Sequence, residues 1–236
     1  MSDRVIEVAG IEVTVKERPR RSSLEITVDR DGSLFVAVPA GTPDEPVLDF
    51  LSRNQKWIHR KLIEKADFLP ALPPKELANG EGFRYLGRSY RLLLVEDQEV
   101  PVKLIAGRLR LRRVESNPAA ALRKWYLRTG TAWVQERIGR WADRCGCDDV
   151  DFDIRDLGYR WGSLSQSGRL NLHWATLQLP PGLIDYVLVH EMTHGSYPAH
   201  DDHFWAAVER VLPDYEARRA ALAHAGSSIW LGDTSD

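Results

Sequence analysis

The run His190-Glu191-Met192-Thr193-His194, with His200 six residues further on, constrains this 236-residue chain more than any other feature. Residues four apart on a helix differ by about 40° around its axis, so His190 and His194 can reach one ion from adjacent turns. Glu191 lies roughly 100° away from His190 by the same geometry, off the metal but near a water beside it. Zinc lowers the pKa of such a water to about 7, and an adjacent carboxylate takes the proton as the water attacks a carbonyl. The H-E-x-x-H pattern is the helical zinc signature of metalloproteases. A fold that honours it must carry these residues on one helix, stop that helix soon after His194 and turn the chain back.

The surrounding sequence supplies those conditions. Leu183-Ile184-Asp185-Tyr186-Val187-Leu188-Val189 is apolar enough for a buried helix, with Pro180-Pro181 at its start. Gly195 and Pro198 stop it. In a continued helix His200 would lie about 240° round from His194, facing away from the metal. The break lets it fold back as a third ligand. His203 competes for that role from the first turn of the next expected helix. The metzincin pattern also places a third His six residues after the second, with Gly midway and a later Met-turn. Here the midway residue is Tyr197 and the methionines are Met1 and Met192, so that pattern does not apply.

Composition bounds the rest. The chain is 43% hydrophobic and 28% charged, ordinary for a globular protein with a full core. A net charge of −2 gives no global attraction to nucleic acid or anionic membrane. No apolar run approaches the roughly 18 residues of a membrane span, and the N-terminus lacks a signal peptide's apolar region. Cys145 and Cys147 are too close to staple a fold and have no second Cys pair to complete a zinc site, which predicts reduced structural thiols and a cytoplasmic address.

The element pattern predicts an α+β protein. Residues 5–15, 24–28 and 33–38 alternate as strands, with a turn at residues 29–32, and a helix opens at Thr42-Pro43-Asp44-Glu45 and carries apolar positions through Leu62. After a Pro- and Ala-rich connector at 68–82, residues 85–96 and 101–112 are strand candidates, the second hinged at Gly107. A long helix then runs from Asn117-Pro118 to about Arg144, its buried stripe including Trp125, Trp133 and Trp141. Residues 152–156 and 159–163 are short strands, and 162–174 form a hairpin just upstream of the metal helix. Its extended edge can hold a peptide by backbone hydrogen bonds. Two further helices close the chain, and Trp230 is expected to dock. The expected division is a β-rich region with one helix over residues 1–115 and a zincin-like domain over 116–236.

Arg160-Trp161-Gly162-Ser163, Asn171-Leu172-His173-Trp174, Ile184 through Glu191, and His200-Asp201-Asp202-His203-Phe204-Trp205 together resemble the YgjP-like metallopeptidases, zinc peptidases related to the SprT-like proteases. Asp31-Gly32, Val36-Ala37-Val38-Pro39, Trp57-Ile58 and Tyr85-Leu86-Gly87 extend the resemblance over most of the chain. It implies His190, His194 and His200 as Zn2+ ligands, Glu191 as catalytic base, and a protein or peptide as substrate. Leu164 stands where a Cys usually follows the Trp-Gly-Ser, and Gly195 and Ala199 replace the commoner Leu and Asn, which alters the third-ligand loop.

Other features carry weaker signals. Arg108, Arg110 and Arg112 share one face of a strand and can contact phosphate, yet a solvated basic face is the favoured reading, with no nucleic-acid binding expected at physiological salt. Arg18, Arg20 and Arg21 present the same choice. His59, His173 and His224 are single histidines, expected at the surface or in hydrogen bonds. Tyr159, Arg160 and Tyr197 are candidates to stabilise an oxyanion, and Asp185 or Asp214 to orient a ligand imidazole. The expected function is zinc-dependent peptide hydrolysis on cytoplasmic proteins, away from membranes and with the oligomeric state open. The rival is a non-catalytic or weakly catalytic zinc-bound protein-recognition module, associated with DNA in one version.

Overall fold

Alternating apolar residues near the N-terminus produce four short strands: β1 (Arg4–Val8), β2 (Ile11–Glu17), β3 (Glu25–Val28) and β4 (Leu34–Val38). The computed structural model of the chain describes residues 3–8, 10–19, 21–28, 33–58, 61, 74–157 and 160–234. The turn expected at 29–32, Arg20, His59, Leu62, Tyr159 and residues 68–73 of the connector lie outside them. The strands form one sheet in the order β1-β2-β4-β3, with β2 and β4 parallel. Val13, Val15, Leu34, Val36 and Val38 form its buried side against Val47 and Leu51 of helix α1 (Asp44–Arg53). Asp44 and Glu45 in the first turn and Arg53 in the last complement the helix dipole. The helix expected through residue 62 is interrupted at Asn54, and helical turns resume at 55–58.

A second sheet is built from β5 (Gly82–Tyr85), β6 (Arg88–Val95), β7 (Val102–Ile105) and β8 (Arg108–Arg112), in the order β5-β6-β8-β7. The stretch 85–96 is filled by the single strand β6 after a turn at Leu86-Gly87 that pairs it with β5, and 101–112 is the hairpin β7-β8, which reverses at the expected hinge, Gly107. Leu86-Gly87 and Ala106-Gly107 have φ of 49° and 77°, and 49° and 72°, and positive φ at both central residues lets a two-residue turn follow the twist of its strands. Leu-Gly and Ala-Gly lack the Asn or Asp that usually flags such a turn, so of the two only the hinge at Gly107 is legible in the sequence.

Helix α2 (Pro118–Cys145) opens with the Asn117 side chain accepting the Ala120 N–H at 2.9 Å and ends at Gly146 in the left-handed conformation. Its Leu122, Trp125 and Tyr126 share a core with Phe83, Leu92, Val102, Leu109 and Leu111 of the second sheet. A side chain at Gly130 would meet Leu177 at 2.4 Å, so glycine there sets how closely α2 packs on the buried 3-10 turn Trp174–Gln178. The Gln178 side chain holds both the backbone carbonyl and N–H of Trp230, which seats that tryptophan against Phe83 and Trp174.

The third sheet has the order β10-β11-β9, from β9 (Phe152–Arg155), β10 (Gly162–Leu164) and β11 (Leu170–His173). β11 is buried throughout, whereas β10 occupies an edge. Helix α3 (Pro181–Thr193) lies in this core, and its buried Asp185 is held by Arg137 of α2, with Nε to Oδ1 at 2.7 Å. Helices α4 (Asp202–Val211) and α5 (Tyr215–Ala225) complete an α+β architecture. The chain divides into two compact units, Met1–Ala71 and Leu72–Asp236. The boundary differs from the expected 115/116, because the inner faces of β5 to β8 share their core with α2. No described helix is long and apolar enough to cross a membrane.

Candidate metal centre

Helix α3 carries His190 and Glu191 in its last turn, and His194 is its cap residue. Gly195 bonds back to the Met192 carbonyl at 3.0 Å and Tyr197 to the Thr193 carbonyl at 3.0 Å, so the chain closes in tight turns instead of another helical turn. His200 returns on the far side of that reversal. Asp201 then accepts the Phe204 N–H at 3.0 Å and starts α4.

Candidate ligand nitrogens of His190, His194 and His200 lie within 4.8 Å of one another. Nε2 of His200 is 3.0 Å from Nε2 of His190. Zinc–nitrogen bonds of about 2.0–2.1 Å in a tetrahedron place two ligand nitrogens roughly 3.3 Å apart, so the cluster fits one such ion. Nδ1 of His194 lies 3.1 Å from the Tyr197 carbonyl, which suits a protonated Nδ1 and leaves Nε2 for a metal. Burial, reinforced by the neighbouring imidazoles, lowers His190 to about 3. Burial and His194 also lower His200. Both therefore stay neutral with a free lone pair, the form a metal requires. His203 is exposed in the first turn of α4 and is not part of this group.

The rings are oriented largely by packing. His190 Nδ1 is buried with no hydrogen-bond partner among the described residues. Fully buried Phe204 sits 5.0, 4.6 and 4.7 Å from the ring centres of His190, His194 and His200, respectively. Trp205 stacks on His200 with ring centres 5.6 Å apart and on Tyr215 with ring centres 5.5 Å apart, and Arg219 lies over its ring at 4.8 Å. Phe204 and Trp205 end the motif that opens at His200; their contact with the histidines depends on where α4 packs. Neither Asp185 nor Asp214 orients an imidazole. Asp185 is bound by Arg137, and Asp214 pairs with Arg218 at 2.9 Å. The Tyr197 carbonyl takes that place for His194.

Glu191 faces β10. A Cβ added at Gly162 would lie 2.7 Å from Glu191 Cγ and 3.1 Å from its Oε1, and the Leu164 backbone hydrogen-bonds to the carboxylate. Burial pushes the Glu191 carboxyl up to about 7, partly opposed by the charge of Arg160 and by the Leu164 bond. The three histidines, Glu191, Arg160 and β10 line one cleft of about 650 Å³. Of the oxyanion candidates, Arg160 lines it, Tyr197 contributes its carbonyl to His194, and Tyr159 is outside the described residues. His173 is buried, its Nδ1 accepting the Ala175 N–H and its Nε2 3.3 Å from Asp156. Asn171 reaches from β11 to Ser163 of β10. These contacts fix the strand pair, which the sequence motif alone did not explain.

A family model described as the YgjP-like metallopeptidase domain matches residues 22–225. Among solved structures, the chain is similar to the metallopeptidase zymogen abylysin of Pyrococcus abyssi, at 26% identity, covering 38% of this chain and 90% of that one with a TM-score of 0.36. No curated protein matches.

Proposed function

The chain belongs to the YgjP-like metallopeptidase family, and from that premise we propose that it hydrolyses peptide bonds of proteins with zinc on His190, His194 and His200 and with Glu191 as general base. The observation that carries this reading is the convergence of three histidines and a buried carboxylate on one cleft. Bound zinc would supply a Lewis acid that lowers the pKa of a water and polarises the substrate carbonyl. Glu191 accepts the proton of the attacking water as its oxygen bonds to the carbonyl carbon. It then delivers that proton to the leaving nitrogen as the C–N bond breaks. A carboxyl with a pKa of about 7 serves both halves of this cycle near neutral pH. Arg160 is the charged donor beside Glu191 in the cleft and the residue best suited to the oxyanion.

Strand β10 borders the cleft from a sheet edge, so an extended substrate can pair with it as a further strand. This favours unfolded or extended segments of proteins. The domain carrying the site is zincin-like in this reading, and the relation to SprT-like proteases rests on the sequence motifs. The free thiols of Cys145 and Cys147 suit a reducing cytoplasm.

Purified protein is expected to hold about one zinc per chain, to cleave an unfolded protein substrate, and to lose that activity to a chelator until zinc is restored. A preparation that neither contains metal nor takes up added zinc would overturn the proposal.

Glycine at 162 is a separate requirement. Gly162→Ala pushes a methyl group into the space of the Glu191 side chain and displaces its carboxylate. The expected result is a roughly 10- to 100-fold loss in kcat, the scale of a displacement of about 1 Å at a reacting group. Zinc content should remain that of the wild type, because the three histidines do not touch this carbon. Unchanged kcat would show that Glu191 has room to move and does not depend on Gly162.

A further inference from the structure

The outer face of the β5-β6-β8-β7 sheet carries cations from all four strands. Residues two apart on a strand share a face. Arg108, Arg110 and Arg112 on β8 therefore lie on the side opposite the buried Leu109 and Leu111. The register brings Arg91 of β6 directly beside Arg108 and Lys103 of β7 directly beside Arg110. Arg84 on β5 joins them through its pairing with Ser89, two residues before Arg91. Six cations thus share one face, whose remaining strand positions are Gly82, Ser89, Leu93, Val95 and Ile105, with no acidic residue.

Few of these charges are answered. Arg112 pairs with Glu115 at 3.1 Å, and Glu96 at the same end of the sheet is engaged by Arg113. Arg91 and Arg84 donate to neutral acceptors, the Gly80 carbonyl and Ser228 Oγ. Among the described residues Lys103, Arg108 and Arg110 form no ion pair. Like charges directly opposite one another destabilise a sheet. This face holds two such pairs, Arg91 beside Arg108 and Lys103 beside Arg110, in a chain whose net charge is −2. A polyanion lying across the strands relieves both.

We propose that this face binds the sugar-phosphate backbone of a nucleic-acid duplex, independently of sequence. Successive cations on β8 stand about 6.6–6.8 Å apart, two strand residues, which suits a repeating row of phosphates. Five of the six are arginines, whose planar forks match phosphate oxygens in pairs. The face has no aromatic side chain, since Phe83 and Tyr90 lie on the other side of their strands. It therefore offers no platform on which an unpaired base could stack, and this selects duplex over single strand. The cations lie outside the catalytic cleft, so binding leaves the peptidase site open.

The test is fluorescence anisotropy of a labelled duplex of about 20 base pairs with the full-length protein. Binding is expected in the micromolar range at about 50 mM salt. It should weaken roughly 100-fold by about 200 mM, as release of counterions from about four phosphates requires. Replacing Arg91, Arg108 and Arg110 together by Ala should weaken binding at least tenfold and flatten the salt dependence by about three units of slope, with peptidase activity and zinc content unchanged. Arg108→Glu alone gives the same direction if the triple variant does not fold. The proposal is overturned if the duplex does not bind at about 50 mM salt, or if both variants bind it as the wild type does. It is equally overturned if a polyglutamate peptide binds more tightly than the duplex, which would assign the face to an acidic protein.

Discussion

Glu191→Gln is expected to fold and to bind zinc as the wild type does, while hydrolysis falls at least about 100-fold. The substitution keeps the length and volume of the side chain, so the space opposite Gly162 remains filled. It removes the one carboxylate among the described residues lining the cleft, and it leaves all three histidines untouched. The measurement is a single preparation of each protein, assayed for metal content and for cleavage of an unfolded substrate. Equal rates would assign the observed hydrolysis to a contaminant or another site. Zinc retention with no cleavage by either protein would favour the recognition module over the enzyme. The variant also provides a trap, since a substrate seated on β10 would remain uncut and could be recovered with it.

His200→Ala is expected to strip the metal, with a loss of zinc affinity beyond the roughly 100-fold that removal of a mere supporting contact costs. His203→Ala should retain it. His200 Nε2 lies 3.0 Å from His190 Nε2 and its ring stacks on Trp205, whereas His203 is exposed on the first turn of α4. Two ligands from α3 alone leave a marginal site. Metal analysis after dialysis separates the variants directly. Zinc lost from His203→Ala but kept by His200→Ala would move the third ligand into α4.

These two predictions draw on different kinds of information. The spacing of His190, Glu191 and His194 fixes their relative directions once a helix forms, and the apolar run from Leu183 to Val189 makes that helix a buried one. The stop at Gly195 and Pro198 frees His200 to return. Each of these signals acts over a few residues, so each is legible in the chain itself. The same holds for the capped ends of α2 and for the alternation that produces β2, β4 and β8.

What the sequence does not carry is the partner of a residue remote along the chain. Gly107 marks a hinge in the sequence, but the turn at Leu86-Gly87 lacks the usual polar signal, and the unit boundary falls before β5 because the strands on either side of these turns pack on α2. Asp185 was a reasonable candidate to orient an imidazole until α2 placed Arg137 against it. Gly162 meets Glu191 across 29 positions of chain, and Phe204 reaches the three histidines only because α4 folds back on α3. The basic face shows the same division: alternation along β8 aligns three arginines, but only pairing with β6 and β7 sets Arg91 and Lys103 beside them. The sequence by itself determined the helix, its stop and the residue types proposed to hold the metal, because backbone geometry repeats locally. Tertiary structure alone decided what surrounds the carboxylate, what orients the rings and which charges meet, because side-chain packing and strand register join segments that have no local period in common.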